Sequence, residues 1–221
     1  MEVNPNQLIK FVESDPRFKG EVATYWESMK KLPDFDYSKF YAYYPDYAST
    51  IMQGDGIRYL KVISLPDEGI AISLGIVLSN TCDINLENER KFSARMVYAP
   101  VMILSAYEQL LKEAQGEDPE VNDEKKFTDE QVDAHIDQIR QQKISQAFYL
   151  PAGKYLPEEA LIFFDNICSC SNEAVSRDDL SSDRMFSLSA YGWHIFMEKI
   201  IHFFTKLSDE TVELRFNPLK Q

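Results

Sequence analysis

A turn of proline, acids and glycine, Pro66-Asp67-Glu68-Gly69, stands between two apolar runs, Ile57 to Leu65 and Ile70 to Leu78. Proline fixes φ and glycine accepts conformations that side chains forbid, so the pair punctuates a chain. Each run is as long as a strand and short for a globular helix. A second turn, Gln53-Gly54-Asp55-Gly56, opens the first run, and another β-forming run extends from Met96 to Ile103. Phe148-Tyr149-Leu150 and Ala160 to Ile167 have the same character, divided by a proline- and glycine-bearing turn. These runs predict three or four strands of a β core.

Helices are expected around that core. Asn4–Pro5 and Asp15–Pro16 each place a capping residue before proline, the arrangement that starts a helix, and Pro33 stops the second of the two. Phe35, Tyr37, Phe40, Tyr41, Tyr43, Tyr44 and Tyr47 follow closely. Such rings either form a stacking platform for bases or cover the core as a connector, and Lys39 is the single cation among them. Ser105 to Gln115 has helical spacing, ended by Gly116. The acidic stretch after it holds a capping box, Thr128 to Gln131, and an apolar stripe of Val132, Ile136 and Ile139. It reads as a helical insertion, with His135 on its exposed face. A last helix, Ser189 to Lys206, is capped by Ser187 or Ser189 and buries Trp193, Phe196, Met197, Ile200, Phe203, Phe204 and Leu207.

With 36 acidic and 23 basic side chains the net charge is −13, which is not the footprint of a nucleic-acid binder. No apolar run reaches the ~18–20 residues that span a bilayer, and Met1 to Gly20 lacks the apolar core of a signal peptide. The three cysteines, Cys82, Cys168 and Cys170, are too few for a disulfide framework and fit a reducing cytoplasm. A protein partner is therefore expected, without nucleic acid or membrane; a homodimer is compatible with these features, and no cofactor is called for.

Two metal-like patterns are weak. His194, Glu198 and His202 share a helix face but lack the His-Glu-x-x-His spacing, and a polar helix edge gives the same pattern. Cys168-Ser-Cys170 is a C-x-C pair with no second pair to complete a zinc site. The denser chemistry lies at the end of an apolar strand, where Ser79, Asn80, Thr81, Cys82 and Asp83 follow Gly75-Ile-Val-Leu. This is either a functional loop or a turn whose side chains bond their own backbone.

Several segments align in order with one family. Gln53-Gly54-Asp55-Gly56-Ile57 resembles the opening of the PemK/MazF-like toxin barrels, Gly75 to Asn80 their second strand, and Val97-Tyr-Ala-Pro100-Val101 their third. Leu78 to Ile84 is similar to an uncharacterised bacterial group with a Ser-Gln-Thr-Cys-Asp motif, in which Arg-x-x-Ser-Leu-Ser precedes the last helix; Arg184 to Ser189 matches that segment. The resemblance spans residues 48 to 207 and implies an RNA-cleaving ancestry. The toxins place a basic residue before the second strand and a hydroxyl soon after the third-strand proline. Here no Lys or Arg occurs from Val62 to Glu89, and no hydroxyl follows Pro100 until Ser105. Without a cation to meet charge developing on a phosphoryl group, such cleavage loses orders of magnitude.

The expected fold is α+β: a small SH3-like, PemK/MazF-type β-barrel with N-terminal helices, a helical insertion at 105–145 and a C-terminal helix at 189–207. Residues 1–47 form the helices and aromatic connector, and 48–221 the barrel domain. The function expected is a non-catalytic interaction or ligand-binding module, in a bacterial toxin–antitoxin or phage-defence context. The alternative is an endoribonuclease or other enzyme using the Asn80–Asp83 loop. The candidate polar site comprises Ser79, Asn80, Thr81, Cys82, Asp83, Asp165, Arg184, Ser187 and Ser189, with Asp83 and Arg184 as an ion pair.

Overall fold

Alternating buried and exposed side chains, interrupted once, define the first strand of the central hairpin. A computed structural model describes residues 36–63, 69–88, 91–113 and 128–205; the expected helices within residues 1–32 and the end of the last helix lie outside these. Nine strands are described: β1 Tyr41–Ala42, β2 Gly56–Ile63, β3 Ile70–Val77, β4 Arg95–Pro100, β5 Met102–Ile103, β6 Ala147–Leu150, β7 Ala160–Phe163, β8 Cys168–Ser171 and β9 Arg184–Leu188. They form two antiparallel sheets, one ordered β1-β9-β2-β3-β4-β8 and the other β5-β7-β6. No closed barrel is formed among the described residues; β4 passes through Val101 into β5, which pairs in the second sheet.

Five α-helices accompany the described strands: α1 Thr81–Ile84, α2 Leu104–Glu113, α3 Asp129–Arg140, α4 Leu180–Asp183 and α5 Ala190–Thr205. The fold is thus α+β, and three of its strands, β1, β8 and β9, fall in segments the sequence presents as loop or connector. In the β2–β3 pair the register runs Ile57↔Gly75 and then Leu60↔Ser73, so Arg58 and Tyr59 together oppose Leu74. Tyr59 takes φ 63° at this bulge. The extra residue resets the alternation and turns Leu60 and Val62 inward.

Ile51, Ile57, Leu60, Val77, Met96, Tyr98 and Leu180 form the core under the larger sheet. On the second sheet, Val132, Ile136 and Ile139 of α3 pack on Ala147, Tyr149 and Leu161. The Thr128–Gln131 capping box is formed in both directions, with Gln131 N–H donating to Thr128 Oγ1 at 3.3 Å and Thr128 N–H donating to Gln131 Oε1 at 2.9 Å. All four β6 residues are buried because both faces are covered. Its other face carries Phe148, which meets Phe40 at 5.8 Å and Phe196 of α5 at 4.9 Å between ring centres. The expected aromatic connector therefore serves as core cover at Phe40. His135 is half-buried, its Nε2 3.2 Å from Tyr107 Oη.

α5 is rotated from the face that hydropathy suggests. Its buried residues are Gly192, Ile195, Phe196 and Lys199, whereas Trp193 and Phe204 are exposed and Met197, Ile200 and Phe203 half-buried. The cause is a close approach: a Cβ on Gly192 would lie 2.3 Å from the Phe40 carbonyl oxygen. Seating the glycine against that backbone swings Lys199 inward. Its amine then donates to the carbonyls of Gln142, at 3.0 Å, and Ile144.

Two outcomes follow for stability. Gly192→Ala should destabilise by about 1–3 kcal/mol despite alanine's better helix propensity, since backbone must move; Phe196→Ala should cost about 3–5 kcal/mol and Phe204→Ala little, all read from urea melts. Burial pushes the Lys199 amine down to about 8 from an ordinary 10.5. Between those values the folded protein has released a proton that the unfolded chain still holds, so this group's contribution to stability rises with pH across the window. Wild type measured against Lys199→Met should gain ground from neutral pH to the middle of that window.

Candidate functional site

The turn before β2 is where the first sheet is tied together. Gly54 adopts φ +89°, a conformation that favours glycine. Its N–H donates to Val77 O at 2.9 Å, its carbonyl accepts from Leu188 N–H at 3.3 Å, and Asp55 O accepts from Val77 N–H at 2.9 Å. The turn backbone thus bonds to β3 on one side and β9 on the other. That geometry turns the Asp55 carboxylate into the protein, where its side chain is 1% exposed.

Two hydrogen-bond donors and a guanidinium converge on it. Ser187 Oγ donates to Oδ1 at 2.6 Å, Met52 N–H donates to Oδ2 at 2.8 Å, and Arg184 Nε lies 3.0 Å from Oδ2. The Arg184 contact is an ion contact lacking hydrogen-bond alignment, since Nε is buried without an aligned acceptor. The rest of the guanidinium donates to the carbonyls of Tyr47, at 3.1 Å, and Thr50. Burial pushes the Asp55 carboxyl above its ordinary range, while Arg184, Ser187 and Met52 pull the other way.

Arg184 therefore meets Asp55, where the sequence reading paired it with Asp83. Ser187, Ser189 and Thr81 do gather around this centre. Ser189 Oγ accepts from Gly192 N–H at 3.0 Å, capping α5, and itself donates to Lys39 O. Thr81 Oγ1 accepts from Gln53 N–H at 3.0 Å. Ser79 and Asn80 bond locally: Ser79 Oγ accepts from Val97 N–H at 2.8 Å, and Asn80 Oδ1 accepts from Cys82 N–H at 2.9 Å as the cap of α1. Cys82 is exposed, and its carbonyl accepts from Asn88 Nδ2 at 2.6 Å. Asp83 lines a different, open cleft of about 380 Å³ with Lys91, Phe92 and Arg95. Asp165 is exposed in the turn between β7 and β8.

Above the Asp55 centre lies a cleft of about 240 Å³, walled by Tyr44, Gln53, Thr81, Ser189 and Trp193. Trp193 is 40% exposed, and its Nε1 donates to Gln53 Oε1 at 3.3 Å; Gln53 Nε2 in turn donates to Leu78 O at 2.7 Å. A polar chain thus positions an accessible indole. Asp55, Gln53, Tyr44 and Trp193 were not among the candidate site residues read from the sequence, which placed Trp193 on the buried face of the last helix. Asp55 had one usable signal: an acid between two glycines at a strand start, a position whose side chain is drawn inward.

Among the described residues no three potential ligands stand close enough to hold a metal, so His194, Glu198 and His202 do not form a centre. Burial lowers the basicity of His194 and raises the Glu198 carboxyl, as expected of a partly covered helix flank. No described helix is long and apolar enough to cross a membrane. No protein-family model and no curated protein matches the chain.

Removing one member of the buried pair strands the other. Asp55→Ala or Arg184→Ala should each cost about 3–5 kcal/mol in urea denaturation, and the double variant less than their sum. Asp83→Ala, at an exposed position outside this centre, should cost clearly less than either single variant.

Proposed function

We propose that this chain is a non-catalytic interaction module that holds a protein partner in the Tyr44–Gln53–Trp193 cleft. The reading extends to an origin in an SH3-like barrel of the PemK/MazF type and a role in a bacterial toxin–antitoxin or phage-defence system, within the cytoplasm. One observation carries it: the hydroxyls and amides around this cleft are engaged within the fold, and an aromatic ring, Trp193, is left exposed at its rim. Ser79, Asn80, Thr81, Ser187 and Ser189 are each bonded within the fold. Asp55 already receives a hydroxyl, an amide and a cation, leaving it poorly placed to take a proton from a substrate. An exposed indole beside a tyrosine and a fixed amide suits recognition, since such rings supply large contact area at low entropic cost. The missing cation between Val62 and Glu89 supports the same reading over phosphoryl chemistry.

The test pairs capture with turnover. A photo-crosslinking residue replacing Ala190, which is exposed at the wall of the same cleft, should trap one dominant protein in the native cell. Trp193→Ala and Tyr44→Ala should reduce recovery of that protein about tenfold or more, the loss expected of an interface anchor, while Asp83→Ala should not. Purified wild type should leave total RNA intact with and without divalent metal. Cleavage that Asp83→Ala abolishes would overturn the module reading in favour of an enzyme using the Asn80–Asp83 loop.

A further inference from the structure

The far end of the β2–β3 hairpin runs past its neighbours. β9 pairs with β2 only at Gly56 and Ile57, and β4 pairs with β3 only from Gly75 to Val77. Beyond these, Leu60–Ile63 and Ile70–Ser73 pair only with each other among the described strands. One face of this ribbon is covered, with Leu60 and Val62 buried. The opposite face carries Ile63, Ile70 and Ile72, which are 52%, 64% and 67% exposed. The register Ile63↔Ile70 and Lys61↔Ile72 sets these side chains together.

The outer edge of β3 has a definite polarity. Leu74 O accepts from Val101 N–H at 2.8 Å, so the amide groups of Leu74 point away from β2. Backbone direction alternates along a strand, so those of Ile72 and Ile70 point the same way, past the end of the β4 pairing. Natural sheets guard such edges with lysine, proline or a bulge on the strand itself. Gly69 to Leu74 contains neither charge nor proline, and the bulge lies across the hairpin in β2.

We propose that this edge is a dimerisation site, pairing β3 antiparallel with β3 of a second copy about a two-fold axis at Ala71. The segment Gly69-Ile-Ala-Ile-Ser73 reads small–Ile–Ala–Ile–small in both directions, the self-match that an isologous interface requires. Ile70 then opposes Ile72 of the other copy. Both present outward amide groups, giving hydrogen-bonded pairs, and their side chains join into one apolar patch that takes in Ile63. Charge permits the meeting although each chain carries −13, because the facing strands are neutral. Lys61 is kept from its symmetry mate by three strand spacings, about 14 Å, beyond the ~8–10 Å over which exposed charges act. An interface this small gives a reversible dimer, with Kd in about the 1 μM–1 mM range.

Sedimentation of the full chain across that range should show a monomer–dimer equilibrium. The double variant Ile70→Lys/Ile72→Lys, altered only at exposed positions, should remain monomeric with an unchanged circular dichroism spectrum. The axis has its own probe. Residue 71 faces itself in a non-hydrogen-bonded pair, with Cα atoms about 4.5 Å apart, within disulfide reach. Ala71→Cys in a Cys82→Ser background should yield a covalent dimer on mild oxidation, reversed by reductant. A wild type that stays monomeric throughout would overturn the proposal and leave the edge to another protein's strand. A dimer that survives the lysines and does not crosslink through Ala71→Cys would overturn it in favour of another surface.

Discussion

The first sheet depends on one buried charge pair. Asp55 and Arg184, 1% and 10% exposed, belong to segments far apart in sequence, and bringing them out of water costs several kcal/mol per ion. That cost is offset only because the remaining bonding capacity is used: Ser187 and Met52 on the carboxylate, the Tyr47 and Thr50 carbonyls on the guanidinium. The pair thereby fixes three things at once. It sets the turn that starts β2, the placement of β9 against it, and the loop before Ile51. Ser189, which caps α5, leaves β9 directly after Leu188, so the helix inherits its position from the same latch.

The second sheet solves a similar problem with backbone carbonyls. Gln142, buried at φ 56°, exchanges both of its side-chain hydrogen bonds with Tyr149 and so extends the edge of β6. Lys199 then covers the carbonyls of Gln142 and Ile144 from α5. Arg140 reaches Glu159 with two bonds, 3.1 and 2.9 Å, which join the end of α3 to the approach of β7. Here the Arg140 guanidinium holds the Glu159 carboxyl below its ordinary range. In both halves of the described fold, polar side chains hold elements together, which leaves the rings at the rim of the cleft for the recognition proposed above.

What the sequence made legible was local. The α3 capping box, its three-residue stripe and the turn before β2 depend on neighbours within one helical turn or one hairpin, whereas the expected turn at Pro66 to Glu68 lies outside the described residues. The helices α2 and α3 were legible for the same reason. The rotation of α5 was not, because it follows from Gly192 meeting the Phe40 carbonyl, a contact between remote segments that hydropathy cannot register. β9 was hidden in Arg184-Met-Phe-Ser-Leu, which becomes a strand only because β1 and β2 lie on either side of it. The candidate site was half legible. Arg184, Ser187 and Ser189 were found by motif, but their carboxylate was sought at Asp83, in a short polar cluster, when the one drawn inward sits in the turn at Asp55.

Native-state hydrogen exchange tests this dependence directly. In an Arg184→Met variant, the amides of Met52, Val77 and Leu188, which bond within the latch and its turn, should lose protection together. Amides of β6 and β7 in the second sheet should keep theirs. Unchanged protection at Met52 and Leu188 in that variant would contradict the account, since the turn and β9 would then be held without the buried pair.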